Sequence, residues 1–180
     1  NVDGVLIEGD DDLNTSTRSK AIYSLHRAFE LIEHHVARLK ERSFDDVSKS
    51  ISSNEMKSLM GRGGPFDEIS NSANDIMGEV LSRTTLAGLT SIKSVDSQLY
   101  HHSVDVCVVA VMIAKTIGLP SRETRQLAIG CLLHDIGKLF VDPTASELSK
   151  VRQHTMLGYE MLKKFTRPRY PSAPRRPRTP

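Results

Sequence analysis

The sequence contains no tryptophan and few other aromatic residues. Its 180 residues include five Phe and four Tyr, whereas 38% of the residues are hydrophobic. Aliphatic side chains must therefore fill most of the interior, as they do in many helical proteins. A chain of this length can form one domain with a substantial core, but it is short for two.

Cysteine is also scarce. Cys107 and Cys131 both lie in apolar runs, and their spacing is not that of a C-x-x-C motif. Buried thiols of this kind are typical of intracellular proteins, because disulfides form mainly in oxidising compartments. The sequence also lacks a signal peptide and an apolar run of membrane-spanning length. We therefore expect a cytoplasmic protein that does not bind a membrane.

A general excess of positive charge is missing as well. The formal net charge is +2, but five of the 24 basic residues are Arg after Phe165, where none of the 22 acidic residues lies. The rest of the chain is slightly acidic, so it offers no general surface for a nucleic-acid polymer.

Residues 166–180 combine these Arg residues with Pro at every third position. This pattern excludes a core helix and favours a disordered, extended tail. We interpret the tail as the product of a damaged reading frame or gene boundary. The alternative is a Pro-rich ligand for a partner or for an anionic surface.

No stretch alternates apolar and polar residues over the length of a strand, so the sequence predicts an all-α fold. Residues 18–42 carry an apolar seam with spacings of three and four, consisting of Ile22, Leu25, Phe29, Ile32, Val36 and Leu39. Such a seam either pairs with a second copy, giving a homodimer, or packs on its own domain. His34 and His35 lie beside the seam, and we interpret both as solvated.

Further helices are predicted after this seam. They are an irregular helix over residues 44–60, a helix from residue 66 into 86–89, an apolar helix over 100–117, a helix over 122–133 with Ser121 as its N-cap, and a helix opened by Asp142 and Pro143. The glycine-rich residues 61–65 form a connector, since they lack the residues of a phosphate-binding loop. In the last helix, Val151, His154, Leu157, Met161 and Phe165 share one inward face.

Residues 130–138 read Gly-Cys-Leu-Leu-His-Asp-Ile-Gly-Lys and place His134 beside Asp135. Imidazole and carboxylate together suit Fe, Mn, Zn or Mg. Lys138 would lie on the same side as Asp135 if the helix continues. A metal ion and a nearby cation suit phosphoryl transfer, because charge builds on the phosphate oxygens. The alternative is that the pair simply ends a helix, with His134 capping its carbonyls.

Two further histidines favour the metal hypothesis. His102 stands near the start of one buried helix, and His154 lies on the inner face of another. Ligands of an ion held between helices occupy such positions.

The order and context of these residues resemble the HD superfamily of metal-dependent phosphohydrolases and, within it, the HD-GYP family of cyclic di-GMP phosphodiesterases. The resembling stretches are residues 92–96, 102–106 and 132–138, and His154 with residues 157–162. The long helical lead-in also resembles that family, in which it links the catalytic domain to a sensory part. We therefore expect a helical regulatory or linker region over 1–65, a partial HD domain over 66–165 with the HD-type helical bundle, and the tail over 166–180.

The resemblance implies a role for each candidate residue. His102, His134 and Asp135 would bind one metal ion, and Asp135 would bridge to a second ion that His154 helps to hold. Asp135 and Lys138 would be catalytic, with Lys138 contacting the substrate phosphate. The expected metal is Fe or Mn, with Mg, Zn and Ni as alternatives. An activated water would attack phosphorus in line and open the cyclic dinucleotide.

Several features of that family are missing. The naming motif of the family, a paired His followed by Asp-Gly-x-Gly-Tyr-Pro, does not occur, nor does a later Asp ligand, and Gln98 stands where members with a third metal have Glu. The segment before His154 is also short. We therefore expect at most two metal ions and impaired hydrolysis by this chain, which we interpret as truncated at its C-terminus. The alternatives are an incomplete HD domain acting as a signalling or binding module and an HD phosphohydrolase for other nucleotides.

Overall fold

The computed structural model describes residues 13–38, 44–51, 53–59, 61, 63–83, 99–141 and 146–165. Within these ranges every regular element is helical: α1 (Thr15–Ala37), α2 (Phe44–Ile51), α3 (Asn54–Leu59), α4 (Pro65–Ser82), α5 (Leu99–Thr116), α6 (Ser121–Leu133), the 3₁₀ helix η1 (Ile136–Phe140) and α7 (Glu147–Phe165). The predicted all-α fold is confirmed. The predicted Pro/Arg tail lies outside the described residues.

Helix α1 packs along α4 and α5 and buries its apolar seam inside the chain. Leu25, Phe29, Ile32 and Val36 are fully buried there, and Leu39 lies outside the described residues. The Ser24 and Ser72 hydroxyls, 3.0 Å apart, join α1 to α4 within this interface. The seam therefore packs on its own chain. The homodimer stays a prediction and would need another surface of α1.

The start of α1 is also tied to the body. The Asn14 side chain accepts a hydrogen bond from the Ser16 N–H (2.8 Å), which caps the helix. The Asn14 N–H donates to the Glu79 carboxylate of α4, and Arg18 pairs with Asp105 of α5. The Asn14–Glu79 hydrogen bond and the Arg18–Asp105 ion pair together hold α1 against α4 and α5.

Residues 44–59 form two short helices, so the prediction of one irregular helix was wrong. The Ser53 hydroxyl accepts a hydrogen bond from the Met56 N–H (3.1 Å) and starts α3 as a new helix. Both helices cover the end of α1 and bury His35, whose Nε2 lies 2.9 Å from Ser50 Oγ and whose Nδ1 lies 3.2 Å from Glu55. The solvated interpretation was therefore right for His34 and wrong for His35.

The predicted connector precedes α4. Gly63 has a φ of +76°, which other residues rarely adopt, and Pro65 occupies the first turn of the helix. Helix α4 is described to its end at Ser82. Arg83 is extended (φ −72°, ψ 133°), so the prediction that this helix continues into residues 86–89 was wrong.

Helix α5 packs against α1, α4 and α6 and ends at Thr116, and Gly118 in the following turn has a φ of +70°. Helix α6 then begins at Ser121, with Pro120 at the N-cap position, so the prediction that Ser121 caps this helix was wrong by one residue. No side chain caps this end. Instead, the Thr124 hydroxyl lies 3.1 Å from the Pro120 carbonyl oxygen, to which it donates.

Helix α7 begins at Glu147, after Ser146, whose hydroxyl accepts a hydrogen bond from the Ser149 N–H at 3.4 Å. The predicted opening at Asp142 and Pro143 lies outside the described residues. Within α7, Leu157 and Met161 are buried as predicted, but Val151 is 59% exposed. The shared face therefore begins later than predicted, because the first turns of α7 extend beyond the body.

One apolar cluster joins these helices. Its largest fully buried side chains include Phe29, Ile76, Leu132, Ile136, Phe140 and Met161. The cluster contains residues from both sides of residue 65. The predicted domain division at that point stays a prediction. None of the described helices combines the length and apolarity that crossing a membrane requires.

Candidate metal centre

The end of α6 presents His134 and Asp135 to one side of the bundle. Leu132 and Leu133 are buried and anchor the last turn of α6. His134 keeps helical dihedral angles, whereas Asp135 (φ −97°, ψ 5°) turns the chain into η1. This turn brings the neighbouring side chains together, with His134 Nε2 3.3 Å from Asp135 Oδ2.

His134 has a defined orientation. Its Nδ1 lies 2.7 Å from the Cys131 carbonyl oxygen, and because a carbonyl can only accept, Nδ1 carries the proton. In the neutral ring, Nε2 then has its lone pair towards Asp135, and in the protonated ring Nε2 donates a hydrogen bond to that carboxylate. His134 therefore caps a helix carbonyl and faces the carboxylate as well. The two sequence interpretations are compatible, because the ring has two nitrogens.

His102 joins this pair from the first turns of α5. Its ring centroid lies 5.2 Å from that of His134, and the ring planes are inclined at 63°. One ligand atom from each of His102, His134 and Asp135 lies within 4.8 Å of the others. The packing of α6 on α5 therefore produces a three-residue cluster that no local sequence pattern predicts.

His154 approaches Asp135 from the opposite side. Its Nδ1 lies 3.2 Å from the Lys150 carbonyl oxygen and so carries the proton, and its Nε2 lies 3.8 Å from Asp135 Oδ1. The two carboxylate oxygens of Asp135 therefore face different histidines. Both rings present Nε2 to the same carboxylate.

Asp135 is the most buried member of the site, with 4% of its surface exposed. Burial alone would raise the pKa of this carboxyl, but hydrogen bonds with His134 and Lys138 outweigh it and hold the pKa well below its usual range. The hydrogen bond with Asp135 also raises the pKa of His134, against the effect of burial. Asp135 is thus an ionised ligand at neutral pH.

Lys138 is the fourth group at Asp135. Its Nζ lies 2.6 Å from Oδ2, although half of its side chain is exposed. The predicted placement on the same side is confirmed, but it arises in the 3₁₀ helix η1 and not in a continued α-helix. In this structure Lys138 contacts the carboxylate to which a metal would bind.

Two glycines that sequence analysis did not single out lie where η1 meets α7. A Cβ on Gly137 would lie 1.8 Å from the His154 carbonyl oxygen and 2.7 Å from the Gly158 nitrogen, so the backbones of η1 and α7 touch. A Cβ on Gly158 would meet no atom closer than 3.4 Å, so Gly137 is the glycine that the contact requires. This contact places His154 beside Asp135.

The donor set fits a divalent ion. An unprotonated Nε2 and a carboxylate oxygen 3.3 Å apart are both acceptors, so a proton or a cation must lie between them. Imidazole nitrogens and one carboxylate are ligands that Fe, Mn and Zn accept. The hydrogen bonds from Nδ1 to carbonyl oxygens are the outer contacts that orient such ligands.

Comparison with known proteins agrees with this geometry. The family model of the HD domain matches residues 99–173, the part of the chain that contains α5, α6, η1 and α7. HD domains bind divalent metal ions. No solved structure matches the chain.

A curated protein of Pseudomonas aeruginosa named as a cyclic di-GMP phosphodiesterase is 34% identical over 113 residues. The match covers 57% of this chain and 27% of that protein, so the chain spans about a quarter of the length of this relative. Together with the HD-domain match, this relationship confirms the resemblance seen in the sequence. Residues 99–173 therefore match an HD domain, and the chain is similar to a cyclic di-GMP phosphodiesterase, as the resemblance to the HD-GYP family implied.

Proposed function

We propose that this chain is a metal-dependent phosphodiesterase of the HD-GYP type whose substrate is cyclic di-GMP. The observation that carries the proposal is the cluster of His102, His134 and Asp135, whose ligand atoms lie within 4.8 Å of one another. The name of the P. aeruginosa relative supports the choice of substrate.

His102, His134 and Asp135 would hold one divalent ion, and His154 with the other oxygen of Asp135 would hold a second. Mixed imidazole and carboxylate ligands favour Fe or Mn, with Mg, Zn and Ni as alternatives. A bound ion supplies Lewis acidity and an activated water for attack on phosphorus.

The side chains of the protein supply the remaining chemistry. Asp135 is held as an anion by its hydrogen bonds with His134 and Lys138, which outweigh the opposing effect of burial on its pKa. His134 is held by its bond to the Cys131 carbonyl, so its ring need not reorganise during the reaction. Lys138 has a long, half-exposed side chain that can reach phosphate oxygens and stabilise their negative charge in the transition state.

Turnover by this chain alone is expected to be low, because its sequence lacks the paired His and later Asp of the family. That absence favours a second candidate function. In it, the HD domain binds a metal or a cyclic dinucleotide as a signalling or binding module and does not hydrolyse it.

The proposal also includes the organisation of the chain. Residues 1–65 would form a regulatory or linker region that includes α1, and residues 66–165 would form the HD domain. The partner of the site is a cyclic dinucleotide and not a nucleic-acid polymer. A homodimer through α1 and a cytoplasmic location remain predictions of the sequence.

The test is hydrolysis of cyclic di-GMP by the purified chain with Mn²⁺ or Fe²⁺, followed as formation of the linear dinucleotide. We expect slow turnover that is lost in His134→Ala and Asp135→Ala. His34→Ala is the matched control, because His34 is an exposed histidine of α1 that is not a member of the ligand cluster. Binding without turnover would favour the second candidate. Turnover that persists in both site variants would contradict the proposed site.

A further inference from the structure

Lys138 and Asp135 form an ion pair that differs from the other Lys pair of the same spacing. Lys163 and Glu160 on α7 are also three residues apart, but Glu160 retains 20% side-chain exposure, whereas Asp135 retains 6%. Water can solvate the Glu160 carboxylate if its lysine moves away. It cannot reach Asp135 to the same extent.

A buried carboxylate requires a cation or several hydrogen bonds. The neighbours of Asp135 in this structure include the His134 imidazole at 3.3 Å, the His154 imidazole at 3.8 Å and the Lys138 ammonium at 2.6 Å. Of these three groups, the Lys138 ammonium lies nearest to the carboxylate. It therefore neutralises Asp135 whenever no other cation is present.

The position of the ammonium matters as much as its charge. Lys138 Nζ contacts Oδ2, the same oxygen that lies beside His134 Nε2. A divalent ion held by His134 and Asp135 would bring a second positive charge to this carboxylate. An ammonium and a metal ion that both contact one carboxylate repel each other strongly in a partly buried site. Ammonium and metal ion therefore compete for Asp135.

Lys138 can leave without unfolding the site. Its side chain is 49% exposed, and its four-carbon stem is flexible. Its backbone N–H stays bonded to the Asp135 carbonyl oxygen at 2.9 Å. The ammonium can thus move towards solvent while η1 keeps its place.

We propose that Lys138 is an exchangeable counter-ion, which neutralises Asp135 in the metal-free protein and is released by metal binding to contact a phosphate. This inference rests on the proposed metal site. Phosphate recognition then depends on metal occupancy, because the same ammonium pairs first with the Asp135 carboxylate and, once a metal is bound, with the phosphate.

The first test compares Mn²⁺ affinity at fixed pH, by calorimetry or chelator competition, in the wild-type chain and in Lys138→Gln. Glutamine keeps a hydrogen-bond donor for Asp135 but removes the competing charge, so the variant should remain folded. We expect Mn²⁺ to bind about fivefold more tightly or better, within the usual range of coupling between sites. Lys138→Arg keeps the cation and should not gain affinity. Lys163→Gln, the matched control, should bind Mn²⁺ as the wild type does.

The second test measures binding of inorganic phosphate. The Mn²⁺-loaded wild-type chain should bind phosphate more tightly than the metal-free chain, and Lys138→Gln should lose most of this gain. If the wild type binds Mn²⁺ and Lys138→Gln binds it no more tightly, the counter-ion role is wrong while the metal site stands. Equal phosphate binding by both loaded proteins would likewise overturn the release step. If the wild type binds no Mn²⁺, the proposed function fails together with this inference.

Discussion

Two interfaces hold the candidate metal centre, and they are built in different ways. Against α1 and α4, α5 buries large side chains, and this filled interface supports His102. Between η1 and α7 the backbones themselves touch at Gly137 and Gly158, and this contact supports His154. The first interface depends on apolar volume and the second on the absence of a side chain.

The difference predicts how each interface responds to change. At a filled interface, stability falls gradually as methyl groups are removed, because the surrounding side chains relax in part into the space. A backbone contact has no flexible atoms that can move aside. The glycine interface should therefore fail at the first added carbon, although it buries fewer large side chains.

The largest effect is expected for Gly137→Ala. The added Cβ would meet the His154 carbonyl oxygen at 1.8 Å, so α7 must move or detach. We expect more than about 4 kcal/mol of lost unfolding free energy, measured by urea denaturation.

Gly130→Ala is the matched control for Gly137→Ala. It adds the same atom within α6, where nothing lies within 4 Å. Because alanine favours a helix, this change should stabilise the protein by up to about 1 kcal/mol. Equal stabilities of the two variants would show that the backbone contact is not a constraint.

Phe29→Ala tests the filled interface. Phe29 is fully buried and packs edge-on against Tyr100, with 5.6 Å between the two ring centroids. Its removal should cost about 3 kcal/mol in urea denaturation, while the protein that remains folded should keep its Mn²⁺ affinity. Tyr23→Ala, at an exposed position of the same helix, should change stability by less than about 0.5 kcal/mol. A loss of Mn²⁺ affinity in folded Phe29→Ala would show that packing at Phe29 determines the position of His102.

Ser24→Ala should have a smaller effect within that interface. The Ser24 hydroxyl lies 3.0 Å from that of Ser72, and both residues are buried. Removing the Ser24 hydroxyl takes away one hydrogen-bond partner of the buried Ser72 hydroxyl, which should lower the free energy of unfolding by about 1 kcal/mol. The double variant with Ser72→Ala should then cost less than the sum of the two single changes. Simple additivity of the two costs in thermal unfolding would argue against a shared hydrogen bond.

The smallest effect is a pH dependence at His134 in the metal-free protein. The hydrogen bond with Asp135 raises the pKa of this imidazole, against burial. A raised folded-state pKa stabilises the protein fully below the usual value of 6.5, and this stabilisation is lost as pH rises through the raised pKa. A third of the side chain is exposed, so the effect should be about 0.5 kcal/mol. NMR titration should find the His134 pKa lowered in Asp135→Asn, and an unchanged pKa would contradict the pairing.

The sequence by itself determined the helices and the identity of the candidate ligands. Apolar residues at spacings of three and four predicted α1 and α4, because one helix face must be buried, and a nearly continuous apolar run predicted α5 as a buried helix. His134 and Asp135 were recognisable as a pair, since neighbours in sequence remain neighbours after folding. The resemblance to the HD-GYP family depended on such short stretches, and it is confirmed.

Tertiary structure decided which groups meet. His35 is buried because α2 and α3 fold over α1, and Val151 is exposed because α7 extends beyond the body at its start. The cluster of His102 with His134 depends on the packing of α6 against α5, and His154 reaches Asp135 because Gly137 has no side chain to separate η1 from α7. These placements join residues far apart in sequence. Local periodicity cannot encode them, because each is set by the shapes of two surfaces and not by one segment.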